Sequence, residues 1–327
     1  RRFLSPSLVN LHTHLAMNIL KGIAEDVTVD AWFNQEIWPY ESSMSEEDIA
    51  LGARLAAAEC LDNGVSAAAD HYFSAHLICR EALAAGMRLD MSPTLFGLAG
   101  DYEKQLDAAT ELVEEWHRKE GMVRLRLGPH APYTCDPEQL RLTAERAGSL
   151  GVGAHIHASE SAEQVRQSVE THGKTPLAVI ADAGLLEVPT ILAHGVFFTQ
   201  EDRALLEAAG GWSGFADGAG DGAAGAGSAA EQGSAAAAGA ADVTAADEPH
   251  GPVMVLCPKT YRKLGTGMGE PLNDIAAWPV TVGTDGAASS NTLSPVEQAR
   301  ILGLWAKNRT GSGAALPAAE LWRILMR

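Results

Sequence analysis

The sequence predicts an α/β fold, a (β/α)8 barrel of the TIM type. Short apolar runs alternate with longer amphipathic stretches along the chain, which is typical of parallel strands joined by helices. Eight runs can be counted, the number that closes such a barrel. They lie at Leu8, Val65, Leu89, Val123, Val152, Ile191, Val253 and Val280. Histidines stand where several runs end, and barrel strands share one carboxyl face, so we expect one polar site there.

The composition restricts the function classes that need consideration. In 327 residues the hydrophobic fraction is 46%, which is ample for one large domain. A formal net charge of −18, with no basic cluster, argues against a nucleic-acid partner or an anionic membrane surface. No apolar stretch approaches the roughly 20 residues of a membrane-spanning helix. The cysteines are scattered without a C-x-x-C pair, which favours a reducing, cytoplasmic setting.

The first predicted strand covers Leu8 to Leu11 and ends at His12-Thr13-His14. Because side chains alternate along a strand, His12 and His14 are expected on the same face. Two imidazoles placed in this way can bind one metal ion. The alternative for this tripeptide alone is a pair of polar loop histidines.

An aromatic loop is expected after the first strand, from Asp30 to Glu41. The aromatic side chains of this loop are Trp32, Phe33, Trp38 and Tyr40. They form either a wall for a flat ligand or a packing layer over the rim of the barrel. Next, Ser45 and Asp48 resemble a capping box, and the run from Ile49 to Leu61 has helical spacing.

The alternation of strand and helix continues along the rest of the chain. Further strands are expected at Val65–Ala69, Arg88–Leu95, Met122–Leu127, Val152–His157 and Thr190–His194. Further helices are expected at Ala75–Ala85, Asp101–Lys119, Asp136–Ser149, Ser161–Glu170, Pro176–Ala183 and Gln200–Ala209. Between Asp217 and Glu248 the sequence is dominated by Gly, Ala, Ser and acidic residues. Because it has little to bury, we predict a disordered or loosely ordered insertion on the face opposite the polar site.

The segment His155 to Glu160 contains the spacing H-x-x-E at a strand end. A neutral imidazole there can bind a metal ion, and the carboxylate can transfer protons in a metal-assisted hydrolysis. His155 points to the same side as His157 and could compete as a ligand. His157 is favoured because Glu160 then lies one short turn beyond it. With His194 at another strand end, three imidazoles and a carboxylate suit zinc or iron(II) and leave a position for water.

The remaining histidines are weaker candidates. His71 follows the second strand and is a secondary candidate for a metal ligand, while Asp70 is open to a structural role. A solvated surface position is expected for the four histidines on helices or loops, which are His76, His117, His172 and His250.

Five motifs together resemble the amidohydrolase superfamily, and within it the branch of 5′-methylthioadenosine/S-adenosylhomocysteine deaminases that is related to triazine chlorohydrolases. In chain order they are Leu8–His14, Gly128–Cys135, His157–Glu160, Leu192–Gly195 and Gly283–Asn291. The resemblance implies one divalent metal ion, zinc or alternatively iron(II). Its implied ligands are His12, His14, His157 and Asp285. It also implies a single metal-dependent hydrolase barrel over residues 1–327, with 217–248 as the insertion.

The resemblance further implies a role for each remaining site residue. Glu160 would carry protons, His194 would orient the water, and both would form the catalytic set with Asp285. His130 and Glu41 would bind the substrate, Glu41 at ribose hydroxyls, and Glu160 and Asp285 would contact it too. The implied reaction is hydrolytic deamination of an adenine nucleoside, such as methylthioadenosine or adenosine, or of a related aminated heterocycle, with release of ammonia.

Two other functions stay open at this point. One is a triazine or pterin amidohydrolase or chlorohydrolase, which would use the same catalytic residues with different pocket walls. The other is a metal-binding barrel with impaired catalysis, because the family's seventh-strand histidine motif is replaced here by Leu256 to Tyr261. No arginine lies between Leu95 and Asp101 to receive an amino-acid tail, and we expect the family's usual flanking β-sandwich to be missing from this chain. A small-molecule substrate is the expected partner, and a homo-oligomer stays open.

Overall fold

The computed structural model of the protein describes residues 5–210, 251–267, 269, 275 and 278–326. Within these residues, nine strands form two parallel sheets. The strands are β1 (Leu8–Thr13), β2 (Val65–Tyr72), β3 (Arg88–Leu95), β4 (Val123–Leu125), β5 (Gly128–Pro129), β6 (Ala154–Ala158), β7 (Thr190–His194), β8 (Val253–Leu256) and β9 (Val280–Val282). The predicted insertion, Asp217–Glu248, and His250 lie outside the described residues.

The two sheets are hydrogen-bonded to each other at both sides. The first has the order β1-β2-β3-β4 with β5 beside β3, and the second has the order β6-β7-β8-β9. At one side the Leu127 carbonyl accepts the His155 N–H at 3.0 Å. At the other, the Thr284 N–H donates to the His12 carbonyl at 3.0 Å. The Asn10 amide, a polar group in an apolar run, donates to the Thr284 hydroxyl at 2.7 Å and so reinforces this junction.

Four strand predictions are wrong in their bounds. β1 ends at Thr13 rather than Leu11, and β2 ends at Tyr72 rather than Ala69. The strand predicted over Met122–Leu127 is interrupted at Arg126, between β4 and β5. The Arg126 guanidinium donates to both carboxylate oxygens of Asp90, each at 2.9 Å. The next strand, β6, starts two residues later than the predicted Val152. A Cβ on Gly153 would lie 2.1 Å from Arg126 Nη1, so the chain passes this side chain before strand pairing begins.

Helices connect the strands, mostly as predicted. They are α1 (Glu46–Asp62), α2 (Ala75–Ala84), α3 (Tyr102–Trp116), α4 (Pro137–Leu150), α5 (Ala162–His172), α6 (Pro176–Asp182), α7 (Gln200–Ala208), α8 (Pro258–Leu264), α9 (Ala287–Ser290), α10 (Pro295–Thr310) and α11 (Ala318–Met326). Short 3-10 helices lie at Leu15–Leu20, Lys119–Gly121 and Leu185–Glu187. The capping box of Ser45 and Asp48 is confirmed. Among the described helices, none combines the length and apolarity that a membrane crossing requires.

The segment predicted to be an aromatic loop is helical instead. Three short helices follow one another, Val29–Ala31, the π-helix Trp32–Ile37 and Trp38–Glu41. The Thr28 hydroxyl accepts the Ala31 N–H at 3.3 Å and so caps the start of the segment. The aromatic residues are therefore carried on helical turns.

Apolar side chains from both sheets meet in one small buried cluster. Ala69 from the first sheet lies with Ile191 and Val255 from the second. Leu11 and Val253 pack against these three side chains. The space between the two sheets is thus filled by side chains beneath the strand ends, which gives the polar residues at those ends a packed support.

Candidate functional site

Side chains from the ends of four strands converge at the carboxyl ends of the sheets. His12 and His14 come from the end of β1, His157 from β6, His194 from β7, and Asp285 from the turn beyond β9. His14 Nε2 lies 3.2 Å from Asp285 Oδ1 and 3.4 Å from His157 Nε2. His12 Nε2 lies 3.7 Å from the same aspartate oxygen. The structure therefore places these five predicted site residues together.

The lone pairs of this cluster suit a metal ion. The ligand atoms of His12, His14 and Asp285 lie within 4.8 Å of one another, and the same holds for His12, His157 and His194. His12 Nε2 is buried and has no hydrogen-bond partner among the described residues, although buried polar atoms are normally paired. Imidazole and carboxylate groups that converge in this way are the donor set of zinc and related divalent ions.

In His12, His14 and His157 the ring nitrogen Nδ1 lies within hydrogen-bond distance of a neighbouring group. His14 Nδ1 and His157 Nδ1 lie 2.6 Å and 2.8 Å from backbone carbonyl oxygens. A carbonyl only accepts, so these Nδ1 atoms carry a hydrogen and the Nε2 atoms face the centre. His12 Nδ1 lies 2.9 Å from His155 Nε2. His155, the predicted competitor of His157, thus contacts a clustered histidine from behind.

Asp285 and His14 form a charged pair in the middle of the cluster. The Asp285 carboxylate accepts the Gly286 N–H and the Ser289 hydroxyl, each at 2.8 Å. Burial alone would raise the pKa of Asp285, but the His14 hydrogen bond outweighs it and holds the pKa far below its usual range. Burial alone would lower the pKa of His14, but the hydrogen bond and charge of Asp285 raise that pKa to about 9.

Glu160 and His194 stand beside this pair with pKa values shifted towards their neutral forms. Glu160 Oε1 lies 3.9 Å from His194 Nε2. Burial raises the pKa of Glu160, and the charge of Asp285 acts in the same direction. Burial lowers the pKa of His194 to about 4, so its imidazole is neutral near pH 7. The Gln164 amide accepts the Glu160 N–H at 3.0 Å and fixes the glutamate backbone.

A cavity of about 130 Å³ opens over these groups, and we call it the central cavity. Trp32, Phe33 and Trp38 line it, so the aromatic segment reaches the site although it is helical. Phe33 and Trp38 stack on each other with ring centroids 6.1 Å apart. Glu41 and His130 also line this cavity. Glu160 and Asp285 line it too, so all four residues predicted to contact substrate face this cavity.

Hydroxyl groups orient Glu41 and His130. The Tyr72 hydroxyl donates to Glu41 Oε1 at 2.6 Å. Burial raises the pKa of Glu41 even though the Tyr72 hydrogen bond opposes the shift. His130 Nδ1 lies 2.9 Å from the Thr134 hydroxyl, and burial keeps the pKa of His130 well below its usual range. Tyr72 was not predicted at the site, because its spacing from Glu41 follows no helix or strand repeat.

A second cavity of about 300 Å³, the side cavity, lies next to the central one. Tyr133 lines both cavities, and Asp136 lies on the wall of the side cavity. The described residues that line it include no lysine or arginine. Ser159 Oγ is buried at this wall without a hydrogen-bond partner among the described residues. The side cavity thus offers a neutral to acidic surface with one unpaired hydroxyl.

His71 and Asp70 have distinct positions at the end of β2. The ligand atom of His71 lies within 4.8 Å of those of His14 and His157, so it stays an alternative ligand. The Asp70 carboxylate accepts the Leu15 N–H at 2.6 Å and ties β2 to the turn after β1. That contact agrees with the structural role expected for Asp70.

The histidines predicted to be solvated differ in exposure. His76 is exposed, as expected, and His172 is half-buried. For His117 the prediction is wrong, because this residue is half-buried and its Nδ1 accepts the Leu125 N–H at 3.1 Å. A helix-end position alone could not indicate this contact with the following strand.

Sequence reasoning missed one further residue of the site, Tyr261. Its hydroxyl lies 3.3 Å from His194 Nδ1 and accepts the Cys257 N–H at 2.8 Å. The unusual motif from Leu256 to Tyr261 showed that this region differs from the family pattern. It did not show which side chain reaches His194. That contact joins residues 67 positions apart.

Comparison with known protein families and sequences gives a match over almost the whole chain. The sequence model of the amidohydrolase family matches residues 3–322. The 5-methylthioadenosine/S-adenosylhomocysteine deaminase of Moorella thermoacetica is 35% identical over 317 residues, which cover 96% of this chain and 64% of that protein. The protein of the same name from Pelotomaculum thermopropionicum is 32% identical over 322 residues, covering 98% and 65%. The chain thus spans just under two thirds of the length of these relatives.

Solved structures resemble the described fold. An adenosine deaminase from Xanthomonas campestris with bound zinc has a TM-score of 0.80 and 26% identity, with coverage of 98% of this chain and 65% of that chain. The atrazine chlorohydrolase of Arthrobacter aurescens TC1 complexed with zinc has a TM-score of 0.77 and 20% identity, with coverage of 98% and 69%. At the lower identity the likeness concerns the fold alone.

Proposed function

The chain belongs to the amidohydrolase family, and on that premise we propose that it is a metal-dependent hydrolytic deaminase. The substrate is an adenine nucleoside, such as adenosine or methylthioadenosine, or a related aminated heterocycle, and ammonia is released. One observation carries this proposal, the convergence of three imidazoles and an aspartate beside Glu160. The likeness to proteins named as nucleoside deaminases supports the substrate class.

We assign the metal ion to His12, His14, His157 and Asp285. The unpaired buried Nε2 of His12 supports this assignment, because a metal ion would satisfy it. When bound, zinc lowers the pKa of a coordinated water to about 7 and so supplies a nucleophile at neutral pH. Zinc is preferred because the similar adenosine deaminase has bound zinc, and iron(II) is the alternative for the same ligands.

The side chains around the metal position provide the proton chemistry. Because burial raises the pKa of Glu160, its carboxyl can hold a proton and donate it to the ring nitrogen beside the amino-bearing carbon. His194, neutral at pH 7, donates a hydrogen bond that orients the attacking water. Asp285 stays ionised and accepts a hydrogen bond from that water. Glu160, now ionised, takes up the proton that the attacking water loses and passes it to the amino group, which leaves as ammonia while the water oxygen stays bonded to the ring carbon.

Glu41 and His130 hold the substrate in the central cavity. Glu41, oriented by Tyr72, accepts hydrogen bonds from ribose hydroxyls, and His130 contributes a further contact. The Trp32 and Phe33 rings provide an apolar wall for a flat heterocycle. Positioning of this kind supplies part of the catalytic acceleration, since it fixes the reacting carbon near the nucleophile.

We also propose that the two sheets form one closed (β/α)8 barrel and that residues 1–327 are one hydrolase domain with 217–248 as an insertion. The hydrogen bonds at both sides of the sheets and the cluster around Ile191 support closure. The partner is a small-molecule substrate. A cytoplasmic setting is part of the proposal, because Cys60, Cys79, Cys135 and Cys257 are buried and unpaired.

Ammonia release from zinc-loaded protein tests the proposal. Adenosine, methylthioadenosine, guanine and an aminotriazine are assayed side by side, with Glu160→Gln as the matched control that keeps the metal ligands. Turnover of a nucleoside that disappears in the control supports the proposal. Glu41→Gln should raise KM for the nucleoside but not for a base without ribose. Equal effects on both would favour a triazine-type hydrolase, and zinc binding without any turnover would favour a metal-binding barrel.

A further inference from the structure

The helix α8 carries the sequence that replaces the family's seventh-strand motif. Within it, Tyr261 is 1% exposed, so its hydroxyl has no access to bulk water. Among the described residues the hydroxyl has two hydrogen-bond partners. It accepts the Cys257 N–H at 2.8 Å, and it lies 3.3 Å from His194 Nδ1.

The hydrogen-bond accounting of this hydroxyl determines the tautomer of His194. A phenol has one hydrogen to donate and lone pairs that accept. Because Cys257 N–H occupies an acceptor position, the phenol hydrogen is available for His194 Nδ1. If Nδ1 donated instead, the buried phenol hydrogen would have no acceptor within the described part of the chain, which is costly. His194 therefore accepts at Nδ1 and carries its hydrogen on Nε2, the atom that lies 3.9 Å from Glu160 Oε1.

The residue before Tyr261 supports the site from the same helix. Thr260 Oγ1 lies 3.1 Å from Ser289 Oγ. Ser289 in turn donates to Asp285 Oδ2 at 2.8 Å. Both Thr260 and Ser289 are buried. Consecutive residues of α8 thus contact two different groups of the site, His194 directly and Asp285 through one hydroxyl.

We propose that Tyr261 is a positioning residue that holds His194 in the tautomer with hydrogen on Nε2. This inference rests on the proposed function, in which the Nε2–H of His194 orients the attacking water. The phenol acts on the reaction only through the imidazole and touches no substrate. The substituted motif therefore has a role of its own in the site, carried by a tyrosine on the helix that follows β8.

Tyr261→Phe tests the proposal, since it removes the hydroxyl and keeps the ring. In zinc-loaded protein kcat should fall at least about tenfold, while KM and zinc content stay close to those of the parent. Tyr102→Phe is the matched control, because Tyr102 is a buried phenol with a 2.7 Å hydrogen bond to Thr143 outside the described site. In a His194→Gln background, Tyr261→Phe should cause no further loss of kcat.

Nitrogen-15 NMR of the His194 imidazole gives a second readout that needs neither turnover nor a folded variant. The parent should show hydrogen on Nε2 and a bare Nδ1. Hydrogen on Nδ1 would overturn the proposal, and so would an equal loss of kcat on adding Tyr261→Phe to the His194→Gln protein. A parent that deaminates no substrate but shows the expected tautomer would overturn the proposed function and leave the Tyr261 contact established.

Discussion

Binding of the metal ion should release one proton from His14. The hydrogen bond to Asp285 raises the pKa of His14 to about 9 against the effect of burial. At pH 7 the metal-free protein therefore carries a protonated His14. A metal ligand must be a neutral imidazole, so the ion competes directly with this proton for Nε2. The same ion pair that holds Asp285 in place thus opposes metal binding below pH 9.

The size of the effect follows from the distance between pH and pKa. At pH 7, about two units below the His14 value, the apparent zinc affinity is reduced about 100-fold, which is about 3 kcal/mol. Each further unit of acid costs about another factor of ten. His157 does not add to this slope between pH 6 and 8, because burial lowers its pKa to about 4. Asp285 stays ionised throughout, since its pKa is depressed.

Calorimetry in buffers with different ionisation enthalpies measures the proton directly. Zinc titrated into metal-free protein at pH 7 should release about one proton per ion from His14 and about half a proton more from a coordinated water with a pKa of about 7. The affinity should rise at least about tenfold from pH 6 to pH 7. The His76→Ala variant lacks an exposed histidine away from the site, and it should release the same number of protons per zinc ion as the parent. Release of about half a proton per ion or less, or an affinity that is constant with pH, would refute the charged state assigned to His14.

Three further outcomes are expected. Metal analysis of His157→Ala should show loss of zinc. Glu160→Gln should keep zinc, but its kcat should fall at least about 100-fold. Loss of zinc from both variants would contradict the assigned roles. S-adenosylhomocysteine should have a kcat/KM at least about tenfold below that of methylthioadenosine, because the described lining of the side cavity has no lysine or arginine to pair its carboxylate. Comparable values would contradict this. A short Gly/Ser linker in place of Asp217–Glu248 should leave zinc content and kcat/KM within a few-fold of the parent values, because Val253 begins β8 at the end opposite the site. A large loss of kcat/KM with the metal retained would place the segment at the site.

The sequence was informative where a local repeat decides the geometry. Side-chain alternation was enough to bring His12 and His14 to one side, and the apolar runs located the strands. It was uninformative where the deciding contact joins distant elements. The hydrogen bond of His12 to His155 spans 143 positions, and no spacing rule connects such residues. The π-helix at Trp32–Ile37 was missed because two aromatic residues are followed there by three polar ones, without a clear helical repeat.

Two residues at the strand ends have a backbone conformation that favours glycine, yet they carry functional side chains. His194 and Asp285 have φ values of +74° and +62°, a left-handed conformation that disfavours side chains other than glycine. Glycine stands where space alone decides, as at Gly283, where a Cβ would lie 2.7 Å from the His12 nitrogen. A glycine at position 194 or 285 would relieve the strain but remove the imidazole or the carboxylate. Seven other described non-glycine residues, among them Arg118 and Leu316, also have positive φ, so the conformation alone does not mark a catalytic residue. At positions 194 and 285 it is retained with the side chains that the proposed chemistry requires.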